Sequence, residues 1–227
     1  PRFQNKNPIN KDYKIFQLEI NNNRWEISKL DNVVLSDDFY QINSSLIDNG
    51  KIFCLAKEDE ALQFEQNNST KLMNFNNYTD TNPDFRANLQ VSIKGGGFSS
   101  YQSDYPFSMV TKSGNILSPL GSLCNKRADK NILFLKNIYE LPVHNEFGVF
   151  FVNIKQKRIL KRELAVTNFM NEIIIEKDFI NPEVFLFTDK YIGIPIFCSI
   201  KDKHISFEHT HPPHEYVMGE DKFRVVS

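Results

Sequence analysis

Val149-Phe-Phe-Val-Asn-Ile154, Lys155-Gln-Lys-Arg158 and Ile159-Leu-Lys-Arg-Glu-Leu-Ala-Val166 decide the fold. Two short apolar runs flank a polar, basic connection, which is the pattern of two strands and a tight turn. The same pattern recurs on both sides, predicting strands at Ile132–Leu135, Glu172–Glu176, Val184–Phe187, Gly193–Ile200 and His204–His211. Strands so closely spaced, with no long helical periodicity between them, predict a mainly β protein. The expected architecture is an antiparallel β-sandwich or distorted barrel with few short helices. The basic residues Lys155, Lys157, Arg158, Lys161 and Arg162 read as a solvated hairpin tip whose charge discourages edge pairing.

Upstream, residues 1–12 are polar and read as an arm. Ile15, Leu18 and Ile20, the turn Asn21-Asn22-Asn23, and Trp25, Ile27 and Leu30 predict a pair of strands. Lys51–Ala56 predicts a further strand, and Glu58–Phe64 one short helix whose acidic start suits the helix dipole. Residues 66–84 are polar and Asn-rich. They mark a soft boundary between a β segment at 1–84 and the main antiparallel β domain at 85–227. After the predicted strand Leu89–Ile93 come Gly95, Gly96 and Gly97, which suggest a bend where a side chain would not fit. No Lys-Ser/Thr follows them, so the phosphate-loop pattern is not met.

Of 227 residues, 41% are hydrophobic and 24% charged, with a net charge of −1. That is the composition of an ordinary globular domain without the basic footprint of a nucleic-acid binder. The twenty Phe residues suit packed sheets. Cys54, Cys124 and Cys198 are widely spaced and include no CxxC pair, so neither a disulfide framework nor a thiolate zinc finger is expected. They fit a reducing, cytoplasmic setting. No apolar run reaches the length of a membrane span, and no basic-then-apolar leader is visible. The chain opens on Pro1, which is compatible with a removed leader. Asn-X-Ser/Thr triplets at Asn43, Asn67, Asn68 and Asn77 are expected by chance in so Asn-rich a chain.

Chemistry points to the run His204-Ile-Ser-Phe-Glu-His-Thr-His-Pro-Pro-His-Glu-Tyr216, which holds His204, His209, His211 and His214. With Lys201-Asp202-Lys203 as a three-residue loop, Ile200 pairs with His204. Phe197 then faces Phe207, Pro195 faces His209 and Gly193 faces His211. The small partners leave space beside two imidazoles that point the same way. His209 and His211, with His214 or Glu215 returned by the Pro212-Pro213 kink, form a candidate set for zinc or iron, and His144 is a further ligand. The spacing His209-X-His211-X3-Glu215 resembles the first metal motif of the cupin barrels. That resemblance covers seven residues, its bracketing glycines are displaced, and the family's second motif has no room in the twelve residues that follow.

A second constellation is Phe98-Ser-Ser-Tyr-Gln-Ser-Asp-Tyr-Pro-Phe107, with four aromatic rings among hydroxyls, an amide and a carboxylate. Tyr101, Gln102 and Tyr105 there are candidate carbohydrate contacts. Ser99, Ser100 and Ser103 lack the Gly-X-Ser-X-Gly pattern of an activated nucleophile. Two functions follow. One is a metal-assisted enzyme acting on a small polar or sugar-derived substrate, with Glu208 or Asp104 handling protons. The other is a non-catalytic module for carbohydrate or for assembly through an edge hairpin.

Overall fold

The structure, a computed structural model, describes residues 13–31, 33–36, 39–66, 70–73, 88–102, 105, 107–111, 114 and 116–209. It divides into two compact units, one of Pro1–Ala87, Pro106–Thr111 and Tyr139–Val143, the other of Asn88–Tyr105, Lys112–Ile138 and His144–Ser227.

In the first unit β1 (Tyr13–Asn21) and β2 (Arg24–Lys29) form a hairpin, with Leu18 opposite Ile27 and Ile20 opposite Trp25. Its turn residues Asn22 and Asn23 have φ of 50° and 57°, a left-handed conformation that asparagine tolerates. A two-stranded pair, β3 (Val34–Ser36) and β4 (Phe39–Gln41), follows. Next, β5 (Ile52–Lys57) adds to the free side of β1. Helix α1 (Glu58–Gln66) opens on three acidic residues and buries Ala61 and Phe64. Phe16, Leu18, Trp25, Ile27 and Ala56 are buried, and the Trp25 indole donates to the Glu140 carbonyl at 2.9 Å. A single turn, α2 (Phe107–Val110), also belongs to this unit.

The second unit begins with the hairpin of β6 (Asn88–Ser92) and β7 (Phe98–Gln102). Two open four-stranded sheets follow. One runs β11 (Arg158–Val166), β10 (Glu146–Asn153), β13 (Val184–Thr188), β8 (Leu117–Pro119). The other runs β12 (Met170–Ile175), β9 (Lys130–Lys136), β14 (Ile194–Lys201), β15 (His204–His209). A short helix, α3 (Leu120–Leu123), follows β8. All pairings are antiparallel. The packing is that of a sandwich, and no barrel closes.

Period-two alternation assigns the core. Phe147, Val149 and Phe151 of β10 share one face with Leu186 of β13, and all four are buried. On the second sheet Leu133, Leu135, Ile173, Ile175 and Phe197 are buried on one face, while Glu172 and Ile174 are exposed on the other. Full burial of each such side chain contributes roughly 1.5–3 kcal/mol.

The terminal hairpin departs from expectation by one residue. Lys201 pairs with His204 across a two-residue turn, Asp202-Lys203, so Ile196 faces His209, Phe197 faces Glu208 and Cys198 faces Phe207. A slip of one exchanges the faces of the whole strand. Asp202 makes the tighter turn by taking φ of 51°, and its amide donates to the Asp129 carboxylate at 2.9 Å. The vacant corner inferred beside His209 is therefore absent: its cross-strand neighbour Ile196 is 1% exposed. Gly193 is closed too, since a Cβ there would lie 2.7 Å from Leu135 Cδ1 and 2.8 Å from the Lys136 carbonyl.

Buried asparagines fasten the connections. Asn171 accepts from the Val166 amide at 2.7 Å and donates to the carbonyls of Val166, Leu135 and Phe169 at 3.0, 3.2 and 3.3 Å. Asn137 donates to the Ile192 carbonyl at 2.5 Å and accepts from the Asn168 amide at 2.9 Å. Removing such a partner orphans buried backbone groups. Asn171→Ala is expected to cost about 1–3 kcal/mol in urea unfolding, with the slope of the transition unchanged. A loss no larger than that of an exposed Asn→Ala change would show that these bonds are replaceable.

Candidate functional site

Strand β7 runs beside β15 in the same direction. Three consecutive contacts show it: the Gly97 amide donates to the Lys203 carbonyl at 2.7 Å, the Phe207 amide donates to Ser99 Oγ at 3.1 Å, and the Tyr101 ring meets the His209 ring. The glycine run makes this approach possible. Gly95 takes φ of 70° in the turn, and a Cβ on Gly96 would stand 2.5 Å from the Lys203 carbonyl. The bend read from the three glycines is present. The terminal hairpin, expected to offer an open edge for assembly, is instead flanked by β7.

Tyr101 is the centre of what the two predicted constellations bring together. It is 4% exposed, and its ring stands edge-on to His209 with centroids 4.6 Å apart. Lys136 Nζ, at the end of β9, lies 5.7 Å from the Tyr101 ring centroid and 5.5 Å from that of Tyr105. The Tyr105 hydroxyl donates to the Ile192 carbonyl at 3.3 Å. Burial raises the Tyr105 phenol far above its ordinary range, against an opposing backbone hydrogen bond at Ile138. The buried Tyr101 ring, packed on His209, presents no open platform to a pyranose. Lys136 carried no signal in the sequence beyond its place at the end of an apolar run.

Of the other predicted residues, the two whose side chains are described, Glu208 and His144, do not join this cluster. Glu208 is exposed and points to the face of β15 opposite His209. His144 is exposed, with Nδ1 3.1 Å from the Thr167 carbonyl on the β11–β12 connection. Gln102 ends β7, but its side chain, like Asp104, His211, His214 and Glu215, lies outside the described residues. Among the described residues no three His, Cys, Asp or Glu side chains form a group able to hold a metal ion.

Comparison with protein-family models, curated proteins and solved structures finds no match.

A different surface stands out on the first sheet of the sandwich. Its outer face carries the exposed Ile159, Arg162 and Leu164 of β11 and the half-buried Phe150 of β10, Phe185 of β13 and Leu117 of β8, while Val152 and Phe187 beside them are buried. Ile159 and Leu164 are 50% and 52% exposed. The Arg162 guanidinium lies 5.7 Å from the Phe150 ring centroid and has no carboxylate partner among the described residues. Gly148, opposite Leu164, leaves room for the Phe150 ring, 2.5 Å from where its Cβ would be. The basic tip beside it is neutralised in part, Lys155 by Glu183 at 3.0 Å and Lys161 by Glu176 at 2.8 Å and Glu163 at 3.0 Å.

The three cysteines are free thiols. Burial pushes Cys54 and Cys124 up to about 12 and Cys198 up to about 11. Thiols held so high are poor nucleophiles at neutral pH. Iodoacetamide at pH 8 is expected to label the native protein far more slowly than the urea-unfolded chain. Rapid labelling of one native cysteine would mark a reactive thiol that this structure does not explain.

Proposed function

We propose that the chain is a non-catalytic interaction module whose binding surface is β11 with the apolar outer face beside it. The exposure of Ile159 and Leu164 supports the reading most directly. Both are about half exposed on the strand that ends its sheet, on either side of Arg162 and next to the half-buried rings of Phe150 and Phe185. Exposed aliphatic side chains beside a half-buried aromatic ring are a candidate for association, and arginine, here over the Phe150 ring, is enriched among interface anchors. The reading belongs to the assembly class expected from the sequence, on the opposite side of the sandwich from the predicted hairpin. No described helix is long and apolar enough to cross a membrane, and the three free thiols support a reducing, cytoplasmic setting.

Selection from a library of displayed linear peptides tests it. The wild-type chain is expected to enrich apolar, strand-forming sequences, and the Ile159→Lys/Leu164→Lys variant, folded by circular dichroism, is expected to enrich none of them. Equal enrichment by both proteins, or by neither, removes this surface from function.

A metal centre is the second reading, and His209 carries it. The structure sets this imidazole at the end of β15, two residues before His211 and six before Glu215 in the sequence. On that reading untagged protein takes up zinc or iron stoichiometrically, and His209→Ala lowers the bound metal at least about tenfold. Metal content unchanged by that substitution excludes it.

A further inference from the structure

Strand β10 turns the main-chain groups of alternate residues toward β13. The Gly148 amide donates to the Asp189 carboxylate at 2.6 Å, and the Asp189 amide donates back to the Gly148 carbonyl at 3.1 Å. Further along, the Ile154 amide donates to the Glu183 carbonyl at 2.9 Å. Antiparallel ladders alternate, so Phe147, Val149 and Phe151 are the residues that bond to β11, through Ala165, Glu163 and Lys161. Arg162, Leu164 and Val166 therefore direct their amides and carbonyls away from the sheet. Val166 fixes the phase, since its amide and carbonyl both meet the Asn171 carboxamide, at 2.7 and 3.0 Å. The main-chain groups of Arg162 and Leu164 have no partner on that side among the described residues. This open stretch of ladder ends at the Asn171 carboxamide in one direction and in the other at the β-bulge, where Leu160 is the extra residue of β11. Edge strands are normally blunted by charge, proline or a cover. Strand β11 contains no proline, and its Lys161 is drawn into ion pairs with Glu163 and Glu176.

The same two residues put a distinctive pair of side chains on the outer face. Leu164 is 52% exposed. Arg162 is exposed, with its guanidinium 5.7 Å from the Phe150 ring centroid. A guanidinium laid over a ring keeps its N–H donors at its own edge, where they can grip a carboxylate with two bonds. Lys157 and Arg158, where the strand begins, are exposed as well. None of these three cations has an ion pair among the described residues. Uncompensated positive charge along one edge selects an acidic partner. The Asp189 carboxylate lies beside Gly148, opposite Leu164, which confines the partner's acid to the Arg162 end.

We infer that β11 receives an extended acidic–apolar peptide of another protein as an added antiparallel strand. An apolar side chain lies beside Leu164, and two residues toward the peptide's C-terminus a carboxylate lies on Arg162. This rests on the interaction-module reading and names its partner. Arg162 and Leu164 each exchange both main-chain bonds with the peptide residue opposite. The antiparallel direction has the slightly more stable ladder. It also carries the peptide's C-terminal end on toward Arg158 and Lys157.

Position-resolved selection from displayed linear peptides tests the pairing. The wild-type chain is expected to enrich sequences with an apolar residue two places before Asp or Glu. Arg162→Glu, folded by circular dichroism, is expected to enrich no such sequence. The wild-type consensus peptide, labelled with a fluorophore, is then titrated by anisotropy. N-methylation of its acidic residue is expected to weaken binding at least about tenfold, because that amide donates to the Arg162 carbonyl. N-methylation of the residue just before it, whose amide faces solvent, is expected to change affinity by no more than about threefold. Apolar peptides enriched without the acid, in the reverse order, or with an acid that Arg162→Glu still selects retain the module and overturn this partner. Equal sensitivity to the two N-methyl groups overturns strand addition. Enrichment of no peptide removes both the partner and the module.

Discussion

The carboxamide of Asn171 holds the sandwich together at its tightest point. Where β11 turns into β12 the chain crosses from one layer to the other, and the backbone there is buried without a neighbouring strand to satisfy it. One side chain replaces that neighbour, accepting from Val166 and donating to three carbonyls. Asn137 does the same for the Ile192 and Asn168 backbone, and Asn131 for Asn125. Buried polar backbone must find partners, and in this chain asparagine supplies them. Because the crossing is short, both terminal strands are forced to the same flank of the sandwich.

Much of this was legible in the sequence, and what was not has identifiable causes. Alternation placed β9 and β11 to β15 within a residue or two at their described ends and missed the first three residues of β10, and the acidic start of Glu58–Gln66 announced α1. The register of β14 against β15 was not legible. Three polar residues between two apolar runs fit a three-residue loop as well as a two-residue one, and only the left-handed conformation of Asp202 decides. Strand β7 was hidden for another reason. Phe98-Ser-Ser-Tyr-Gln alternates, but its hydroxyls and ring suggest a ligand site as readily as a strand that covers another.

The same ambiguity governs the site. The sequence brought out Tyr101, Tyr105 and His209 as polar aromatics available for chemistry, and the structure packs them with Lys136 into a mostly buried cluster. Aromatic rings with a polar end serve both purposes, because the flat face packs and the heteroatom bonds. Conversely, Ile159 and Leu164 read as ordinary strand residues, since an apolar residue on a strand is normally assumed to face a core. Their exposure follows from sheet order, with β11 terminal and its outer face turned from the core, and sheet order is a long-range property that local pattern does not encode.

The absence of a side chain at Gly96 bears on how the last strand is covered. Because the Lys203 carbonyl occupies the space a Cβ would fill, β7 can lie against β15 and cover it. The far strand of the other sheet, β8, spans three residues and ends in Pro119, so it offers little ladder to extend. Position 96 thereby decides which element covers the last strand of its sheet, since any side chain there would push β7 off β15.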